Sequence, residues 1–321
     1  MTPAADIFQP MPVRGVGVEL RAARFPAEGP QRGVMVLLNG QTEFIEKYFE
    51  VIDELRGRGF SVATMDWRGQ GGSTRMTQDS RKSFIGDFSE YDDDLSTLLN
   101  WIVTPMLAQG DKPVALAHSM GGHILLRHLT RKPASFRACV LSAPMIAISF
   151  RGQREFLVRA VTRYHLWRGQ HAGWVWGMEA RDPHRVTFAT QLVTSDPQRF
   201  ERTQTLLREH PDLRLAGATW GWLAAALRSM DWLKDKAESI TTPLLVVGAG
   251  KDRICITPQA KSFAARLPNA TYVEIKQAEH EILMERSPIR AEFWAAFDDF
   301  MKNIAPRPEP ERDGLHAKLA T

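Results

Sequence analysis

Ser119 lies in a sequence context in which a serine hydroxyl can act as a nucleophile. The apolar run 114–117 leads into Ala-His-Ser-Met-Gly, and a helical pattern follows over 120–131. Small residues beside the serine allow a strand and a helix to meet in a tight, strained turn that exposes the hydroxyl at the helix N-terminus. The partial positive charge there favours the negative charge that develops in acyl transfer. The pattern predicts a nucleophile elbow; the alternative is a serine that only caps a buried helix.

A serine hydroxyl becomes a strong nucleophile only when a base accepts its proton and an acid orients that base. The apolar run 244–247 leads into Gly-Ala-Gly-Lys-Asp, which places Asp252 beyond a predicted strand. The run 272–275 leads into Lys-Gln-Ala-Glu-His, which places His280 similarly. Either residue alone could be a helix cap or a solvated loop residue. In this order, each after a strand, they predict a catalytic triad with Ser119.

Acyl transfer also needs two N–H donors for the oxyanion. The residue directly after the nucleophile supplies one, which here is Met120. We expect the second from a loop after an early strand, and Leu-Asn-Gly-Gln at 38–41 follows such a run. Gly40 permits the bend, so the backbone N–H of Gln41 is the predicted donor. An ordinary strand-to-helix turn would need the same glycine and is the alternative.

Strand-like and helix-like runs alternate on both sides of these motifs. The strand-like runs are apolar without two-residue alternation, which is typical of a parallel sheet covered on both faces. This repetition predicts a doubly wound α/β fold, with an N-terminal strand pair within 17–25. The predicted strands are 34–38, 61–65, 114–117, 139–141, 244–247 and 272–275, and the predicted helices are 46–58, 93–107, 120–131, 258–266 and 288–303.

The segment between the two halves of this pattern differs in composition. From Phe150 to Asp231 the chain has 12 Arg, no Lys and 8 Asp or Glu, a surplus of 12 − 8 = +4 that equals the net charge of the whole chain. It also holds five of the nine tryptophans and has no strong strand signal. We therefore expect residues 1–144 and 237–305 to form the two parts of one core. Residues 145–236 are predicted to be a helical lid inserted between these parts. The tail 306–321 is Pro-rich and charged, so we expect it to be flexible.

These motifs resemble the α/β-hydrolase superfamily and, within it, the group of monoacylglycerol lipases and lysophospholipases. Residues 39–48, Asn-Gly-Gln-Thr-Glu-Phe-Ile-Glu-Lys-Tyr, are similar to that group's His-Gly-x-x-Glu-His-x-x-Arg-Tyr loop, with Asn39 and Phe44 in place of the histidines and Lys47 in place of the arginine. The turn 66–73, the nucleophile motif 118–122, the acid loop 252–255 and the stretch 280–285 also resemble the group's sequences.

The resemblance covers nearly everything from about residue 15 to 304 except the lid. It implies the α/β-hydrolase fold, with a mostly parallel central sheet, helices on both faces and a helical lid insertion. Carried over residue by residue, it assigns Ser119, Asp252 and His280 to the triad and the Gln41 and Met120 amides to the oxyanion hole. We expect no cofactor and no metal ion, because the sequence shows no ligand cluster and no nucleotide-binding motif.

The composition of the chain also indicates which partners, cofactors and cellular location to expect. The chain has 321 residues, of which 44% are apolar and 24% charged, as in globular proteins. We expect no nucleic-acid partner, because the positive surplus lies in one Trp-rich segment, and no nucleotide cofactor, because no Gly-Lys-Ser or Gly-Lys-Thr loop occurs. Two cysteines, no secretory pattern at the start and no apolar run of ~20 residues predict a cytoplasmic protein.

Several other polar residues have simple structural interpretations. His118 and His123 bracket the serine without a carboxylate or thiolate cluster at ligand spacing, so we expect no metal site there. The acidic run 92–94 is interpreted as helix capping and as a complement to the helix dipole. Cys255, close to the predicted acid, is expected to be a buried, inert thiol.

The leading hypothesis is a serine hydrolase that cleaves the carboxylic ester of a single-chain lipid, a lysophospholipid or a monoacylglycerol, through an acyl-enzyme. A Trp-rich lid suits an apolar acyl pocket. Its arginines, with 151, 154, 159 and 163 on roughly one helical side, suit transient contact with the cytoplasmic membrane face, and a solvated basic face is the alternative. Other candidates are a proline iminopeptidase-like serine aminopeptidase, a short-chain carboxylesterase and a non-enzymatic binding module.

Overall fold

A mostly parallel sheet forms the centre of the computed structural model, which describes residues 7–178 and 186–304. In the described residues the strands are β1 (Ile7–Val13), β2 (Val18–Phe25), β3 (Gly33–Leu38), β4 (Phe60–Met65), β5 (Lys82–Ser83), β6 (Val114–His118), β7 (Ala138–Ser142), β8 (Gly217–Ala218), β9 (Leu244–Ala249) and β10 (Ala270–Ile275). Eight of them form one sheet in the order β1-β2-β4-β3-β6-β7-β9-β10, and β5 pairs with β8 separately. In the large sheet the pairs β1–β2 and β2–β4 are antiparallel, and the remaining described pairs are parallel.

Helices cover both faces of this sheet. They are α1 (Phe49–Gly57), α2 (Ser89–Leu98), α3 (Ser119–Arg131), α4 (Glu155–Trp167), α5 (Pro197–Glu209), α6 (Trp220–Lys234), α7 (Thr257–Ala264) and α8 (Ser287–Asn303). The side chains of β3 explain this two-sided cover: Val34, Val36 and Leu38 pack with α2, α3 and α6, whereas Met35 and Leu37 pack with α1 and α8. The α/β-hydrolase fold predicted from the sequence is confirmed, and its strands and helices position the site at the carboxyl ends of the central strands.

The lid segment, residues 145–236, lies between β7 and β9 and contributes α4, α5 and α6. The stretch before α5 is hydrogen-bonded to the loop after β10: Thr194 Oγ1 donates to the Met284 carbonyl at 2.7 Å, Glu281 N–H donates to the Val193 carbonyl at 2.7 Å, and Ser195 Oγ bonds the Glu285 carboxylate. The division of the chain into core and lid at 144/145 and 236/237 stays a prediction. The predicted tail 306–321 lies outside the described residues.

Of the two interpretations of the acidic run 92–94, as a helix cap and as a complement to the helix dipole, only the second holds. Helix α2 begins at Ser89, before the run, so Asp92 lies in its first turn but none of the three residues is the cap. All three lie within the helix, and the side chains of Asp92 and Asp94 are buried. Asp94 pairs with Arg68 at 2.6 Å, and Asp92 pairs with Arg127 at 3.0 Å. These partners lie 26 and 35 residues away along the chain, so no local pattern indicated them.

Two further sequence predictions need correction. The N-terminal strand pair extends beyond 17–25, because β1 begins at Ile7; as an edge strand it tolerates Pro10 and Pro12, which lowered its strand signal. The arginines at 151 and 154 do not share a helical side with Arg159 and Arg163, because α4 begins at Glu155. Among the described residues, no helix is both long and apolar enough to cross a bilayer.

Candidate active site

Ser119 occupies the tight turn between β6 and α3. Its φ of 50° lies in the left-handed region that residues other than glycine rarely adopt. The turn brings α3 against the end of β3, because a Cβ atom at Gly121 would lie 2.5 Å from the Asn39 carbonyl oxygen and 2.6 Å from that of Leu38. The small residue at 121 is therefore required by the close backbone approach, which is the geometry of a nucleophile elbow.

The three residues predicted as a triad lie within hydrogen-bond distance of one another. The Ser119 hydroxyl donates to His280 Nε2 at 2.9 Å, and His280 Nδ1–H donates to Asp252 Oδ2 at 2.7 Å. The other Asp252 oxygen accepts the N–H groups of Ile254 and Cys255, both at 2.8 Å. The loops after β9 and β10 thus present an oriented acid and base to the serine, an arrangement that can activate a hydroxyl.

The two predicted oxyanion donors lie on either side of this serine. Met120 is in the first turn of α3, where backbone N–H groups have no acceptor within the helix. Gly40 passes close to the nucleophile: a Cβ atom there would lie 3.2 Å from the Ser119 Cβ. The following N–H, that of Gln41, donates no hydrogen bond to another group of the described residues. Both N–H groups are therefore available to a ligand atom beside Ser119.

The turn 66–73 holds the Gln41 loop in place. Gln70 Nε2 donates to the Gly40 carbonyl at 3.1 Å, and Gln70 Oε1 accepts the Thr42 N–H at 2.8 Å. Trp67 Nε1 donates to the Asn39 carbonyl at 2.9 Å. The bonded residues are about 30 positions apart along the chain, so no local pattern predicted these contacts. The one local indication in the sequence was the motif Gly-Gln-Gly-Gly at 69–72, which contains Gln70.

His118 and Cys255 also flank the triad. The His118 ring centroid lies 4.9 Å from that of His280, and His118 Nδ1 bonds the Ser142 carbonyl at 3.1 Å. Burial lowers the pKa of His118 to about 4, so this ring is neutral at pH 7. Cys255 is buried, as the sequence predicted, but it also lines the cavity above Ser119.

Asp252, Cys255 and His280 have ligand atoms within 4.8 Å of one another. Within the described part of the chain this is the one cluster of His, Cys and acidic groups close enough to hold a metal ion. Burial raises the pKa of the Cys255 thiol well above its usual range, so the thiolate that metals prefer is disfavoured. The acid and imidazole already bond each other, so the donor set suits proton transfer better than a resident metal.

A cavity of about 790 Å³ lies above the triad and is lined by both the core and the lid segment. The lining contains both apolar and polar side chains. The apolar ones include Ile148, Phe150, Val158, Trp222 and Leu223 of the lid segment, and the polar ones include Gln41, Thr42 and Lys47 of the core and Thr203 and Gln204 of α5.

A strained serine between strand and helix, a histidine and an acid on later loops, and the strand order of the sheet together define an α/β-hydrolase. Residues 29–287 match the sequence model of the family described as "Hydrolase_4: Serine aminopeptidase, S33". The chain belongs to this family.

The chain is also similar to individual proteins of known name. It is 30% identical over 298 residues to lysophospholipase L2 of Escherichia coli strain K12, covering 88% of this chain and 84% of that protein. It is 29% identical over 228 residues to a monoacylglycerol lipase of Mycolicibacterium smegmatis, covering 70% and 71% of the two chains. A soluble variant of Saccharomyces cerevisiae monoglyceride lipase, solved with a substrate analogue, superposes with a TM-score of 0.74 at 16% identity over 96% of this chain and 97% of that one.

Proposed function

We propose that this protein hydrolyses the carboxylic esters of single-chain lipids, either lysophospholipids or monoacylglycerols, through an acyl-enzyme. The observation that carries the proposal is His280, which bonds Ser119 at 2.9 Å on one side and Asp252 at 2.7 Å on the other. The names of the relatives support the substrate class, since the matched proteins are called lysophospholipase and monoacylglycerol lipase.

The reaction follows from the positions of these groups. Ser119 Oγ attacks the ester carbonyl while His280 Nε2 takes its proton, and Asp252 stabilises the imidazolium that forms. The Gln41 and Met120 N–H groups bind the oxyanion of the tetrahedral intermediate. His280 then protonates the departing alcohol, which leaves the fatty acid esterified to Ser119. A water molecule activated by His280 attacks this ester and releases the fatty acid.

The mixed lining of the cavity supports a lipid substrate with one chain. Its apolar side chains can bury an acyl chain, and its polar side chains can hydrogen-bond the alcohol part of the ester. A peptide substrate with a free α-amine would instead need carboxylates on the lid. Among the described lid residues that line the cavity there is no Asp or Glu, whereas Arg151 and Arg199 are present. This favours ester hydrolysis over the aminopeptidase alternative.

Labelling with a fluorophosphonate probe tests the proposal, together with hydrolysis of lysophospholipids, monoacylglycerols, short p-nitrophenyl esters and prolyl amides. We expect the native protein to be labelled and to cleave single-chain lipid esters, and Ser119→Ala to do neither. Ser96→Ala, on α2 away from the cavity, is the matched control and keeps both activities. Equal labelling of Ser119→Ala contradicts the proposal, and cleavage of prolyl amides without lipid esters favours the aminopeptidase.

The outer surface of α4 supports a second part of the proposal, transient contact of the lid with a membrane surface. Phe156, Tyr164 and Trp167 are 61%, 53% and 79% exposed, and they recur at helical spacing along one side. Arg163 lies on the same helix. Aromatic side chains with nearby arginines favour the headgroup region of anionic bilayers. Such docking would allow a single-chain lipid to pass from the bilayer to the cavity.

Co-sedimentation with vesicles tests this contact. We expect binding to vesicles that contain anionic lipid, weakened by salt because surface charge attraction is screened. The double variant Phe156→Ala, Trp167→Ala should bind several-fold less. Trp101→Ala removes a tryptophan outside the lid that is 59% exposed, and it should bind like the parent. Binding that ignores lipid charge, salt and both α4 substitutions removes the membrane proposal.

A further inference from the structure

Three charged side chains, the Lys47 cluster (Glu43, Lys47 and Glu281), join the two loops that meet at Ser119. Glu43 and Lys47 are buried, and Glu281 is partly buried. Lys47 Nζ donates to Glu43 Oε1 at 2.7 Å and to Glu281 Oε1 at 2.6 Å. Glu43 and Lys47 follow the Gln41 loop, whereas Glu281 directly follows His280. One ammonium group thus connects the loop with the predicted oxyanion donor to the loop with the predicted base.

The second oxygen of Glu43 fixes the start of the Gln41 loop. It accepts the Gly40 N–H at 2.5 Å and the Tyr48 hydroxyl at 2.7 Å. The Gly40 carbonyl belongs to the same peptide group as the Gln41 N–H, and Gln70 holds that carbonyl at 3.1 Å. The direction of the Gln41 N–H is therefore set by Glu43 on one side of Gly40 and by Gln70 on the other.

The charges of the cluster make Lys47 necessary to this arrangement. Burial alone would raise the pKa of Glu43, but the charge of Lys47, the charge that His118 gains at low pH and the hydrogen bonds from Lys47 and Tyr48 outweigh burial and lower this pKa to about 2. Burial opposes the charge of Lys47, yet the attraction of Glu281 and Glu43 raises its pKa above the usual range. Without the ammonium group, two carboxyl groups would face each other with no cation between them.

We propose that Lys47 is a positioning residue for acyl transfer: by bonding Glu43 and Glu281 together it holds the Gln41 N–H and the His280 imidazole in register around Ser119. Lys47 acts through Gly40 and His280 and takes no part in bond making. This inference rests on the proposed ester hydrolysis, and it adds that the oxyanion hole and the base are coupled through one buried side chain.

Steady-state kinetics of Lys47→Met with a lysophospholipid and a p-nitrophenyl ester tests this role. We expect kcat to fall about 10–100-fold with KM within about 3-fold, because a misplaced oxyanion donor weakens the transition state but leaves the acyl chain bound. Lys47→Arg keeps a cation between the two carboxylates and should retain most of kcat. Unchanged kcat in Lys47→Met, or an equal loss in Lys47→Arg, overturns the inference.

A matched control separates positioning from general stability. Glu46 directly precedes Lys47, and its carboxylate lies 2.6 Å from the guanidinium group of Arg21. Glu46→Gln breaks this ion pair and leaves the Lys47 cluster intact. We expect it to lower the thermal midpoint and to leave kcat at the parent value. An equal fall of kcat in Glu46→Gln overturns the inference, because any destabilisation of the segment would then explain the loss.

Two further variants keep the inference testable if Lys47→Met does not fold. Glu281→Gln leaves a one-to-one pair of Lys47 and Glu43 and should lower kcat about 3–10-fold at constant KM. The double variant Lys47→Met, Glu281→Gln leaves Glu43 as the one carboxylate of the cluster, so no second charge faces it, and this variant should be more active than Lys47→Met alone. An unchanged kcat in Glu281→Gln contradicts the inference, whereas absence of Ser119 labelling in the parent contradicts the proposed function itself.

Discussion

The two carboxylate oxygens of Asp252 have different partners, and this separates the structural role of the side chain from its proposed chemical role. One oxygen accepts the N–H groups of Ile254 and Cys255 and shapes the loop. The other accepts Nδ1–H of His280 and leaves Nε2 without a proton, as a base requires. An asparagine could replace the first function and not the second.

At this scale we predict the effect of Asp252→Asn. The amide oxygen can still accept the loop N–H groups, but the amide NH₂ would face His280 Nδ1 and favour the tautomer that protonates Nε2. We expect kcat to fall by about 10⁴ with little change in the thermal midpoint. Asp231→Asn, on the lid surface, serves as control and should keep full activity. A variant Asp252→Asn that retains a tenth of kcat would argue against Asp252 as the acid.

Residue patterns brought out the proposed reacting groups more clearly than the groups that hold them. Ser119, Asp252 and His280 each follow an apolar strand, so spacing along the chain was enough to bring them to one edge of the sheet. Gln70 and Glu281 have no such signal, because their partners lie on other loops and depend on the folded structure. Glu43 and Lys47, four residues apart, could have been paired from sequence, but not with Glu281.

At the scale of elements, the contact between α3 and the end of β3 limits what the elbow can contain. Gly121 faces two backbone carbonyl groups, which cannot move aside as a flexible side chain can. The same contact sets the distance between the Gln41 loop and Ser119. The close approach of the α3 backbone to the end of β3 therefore affects both the packing of the elbow and the position of the predicted oxyanion donor.

We therefore predict that Gly121→Ala lowers the free energy of unfolding by about 2 kcal/mol or more, since the added methyl group overpacks a rigid backbone contact. Chemical denaturation measures the change. Gly57→Ala is the matched control: no atom lies within 4 Å of its added Cβ and Gly57 ends α1, so it should stabilise the protein by about 0.5 kcal/mol. Equal stability of Gly121→Ala and the parent would show that the elbow is not tightly packed.

Strands and helices with continuous apolar runs were predicted well from the sequence. The helix that contains buried acidic residues was predicted with the wrong bounds. The predicted strand 114–117 became β6 with one residue added, and helix 120–131 became α3. Helix 93–107 starts four residues too late and ends as a π turn over Leu99–Val103 followed by a 3₁₀ turn over Thr104–Met106. The acidic residues of α2 suggested a helix start because their arginine partners could not be seen in the local sequence.

At the scale of the whole molecule, buried histidines make stability depend on pH. Burial lowers the pKa of His118, His123 and His128 to about 4, 3 and 4. The unfolded chain binds protons at these sites near pH 6.5, whereas the folded protein does not until pH 4 or below. Each histidine therefore contributes stability at neutral pH that is lost as pH falls from about 6.5 toward 4.

His128 permits a direct measurement of this effect. His128→Gln can keep the bond to the Ser135 hydroxyl, which is 3.0 Å from Nε2, but it cannot titrate. We expect the free energy of unfolding of the parent to fall relative to this variant by on the order of 1–2 kcal/mol between pH 7 and pH 4.5. His210→Gln changes a surface histidine and should follow the parent. Parallel curves for parent and His128→Gln would contradict this prediction.

The hydrogen bonds from residues 193–195 to the loop after β10 restrict where the cavity above Ser119 could open to a substrate. Moving that stretch outward would break buried hydrogen bonds and pull on the backbone that carries His280. Helix α4, by contrast, is held to α6 by half-buried apolar packing and by the exposed ion pair of Arg159 with Asp231. An outward movement of α4 would therefore break fewer buried hydrogen bonds than one of residues 193–195, and it would not pull on the backbone that carries His280.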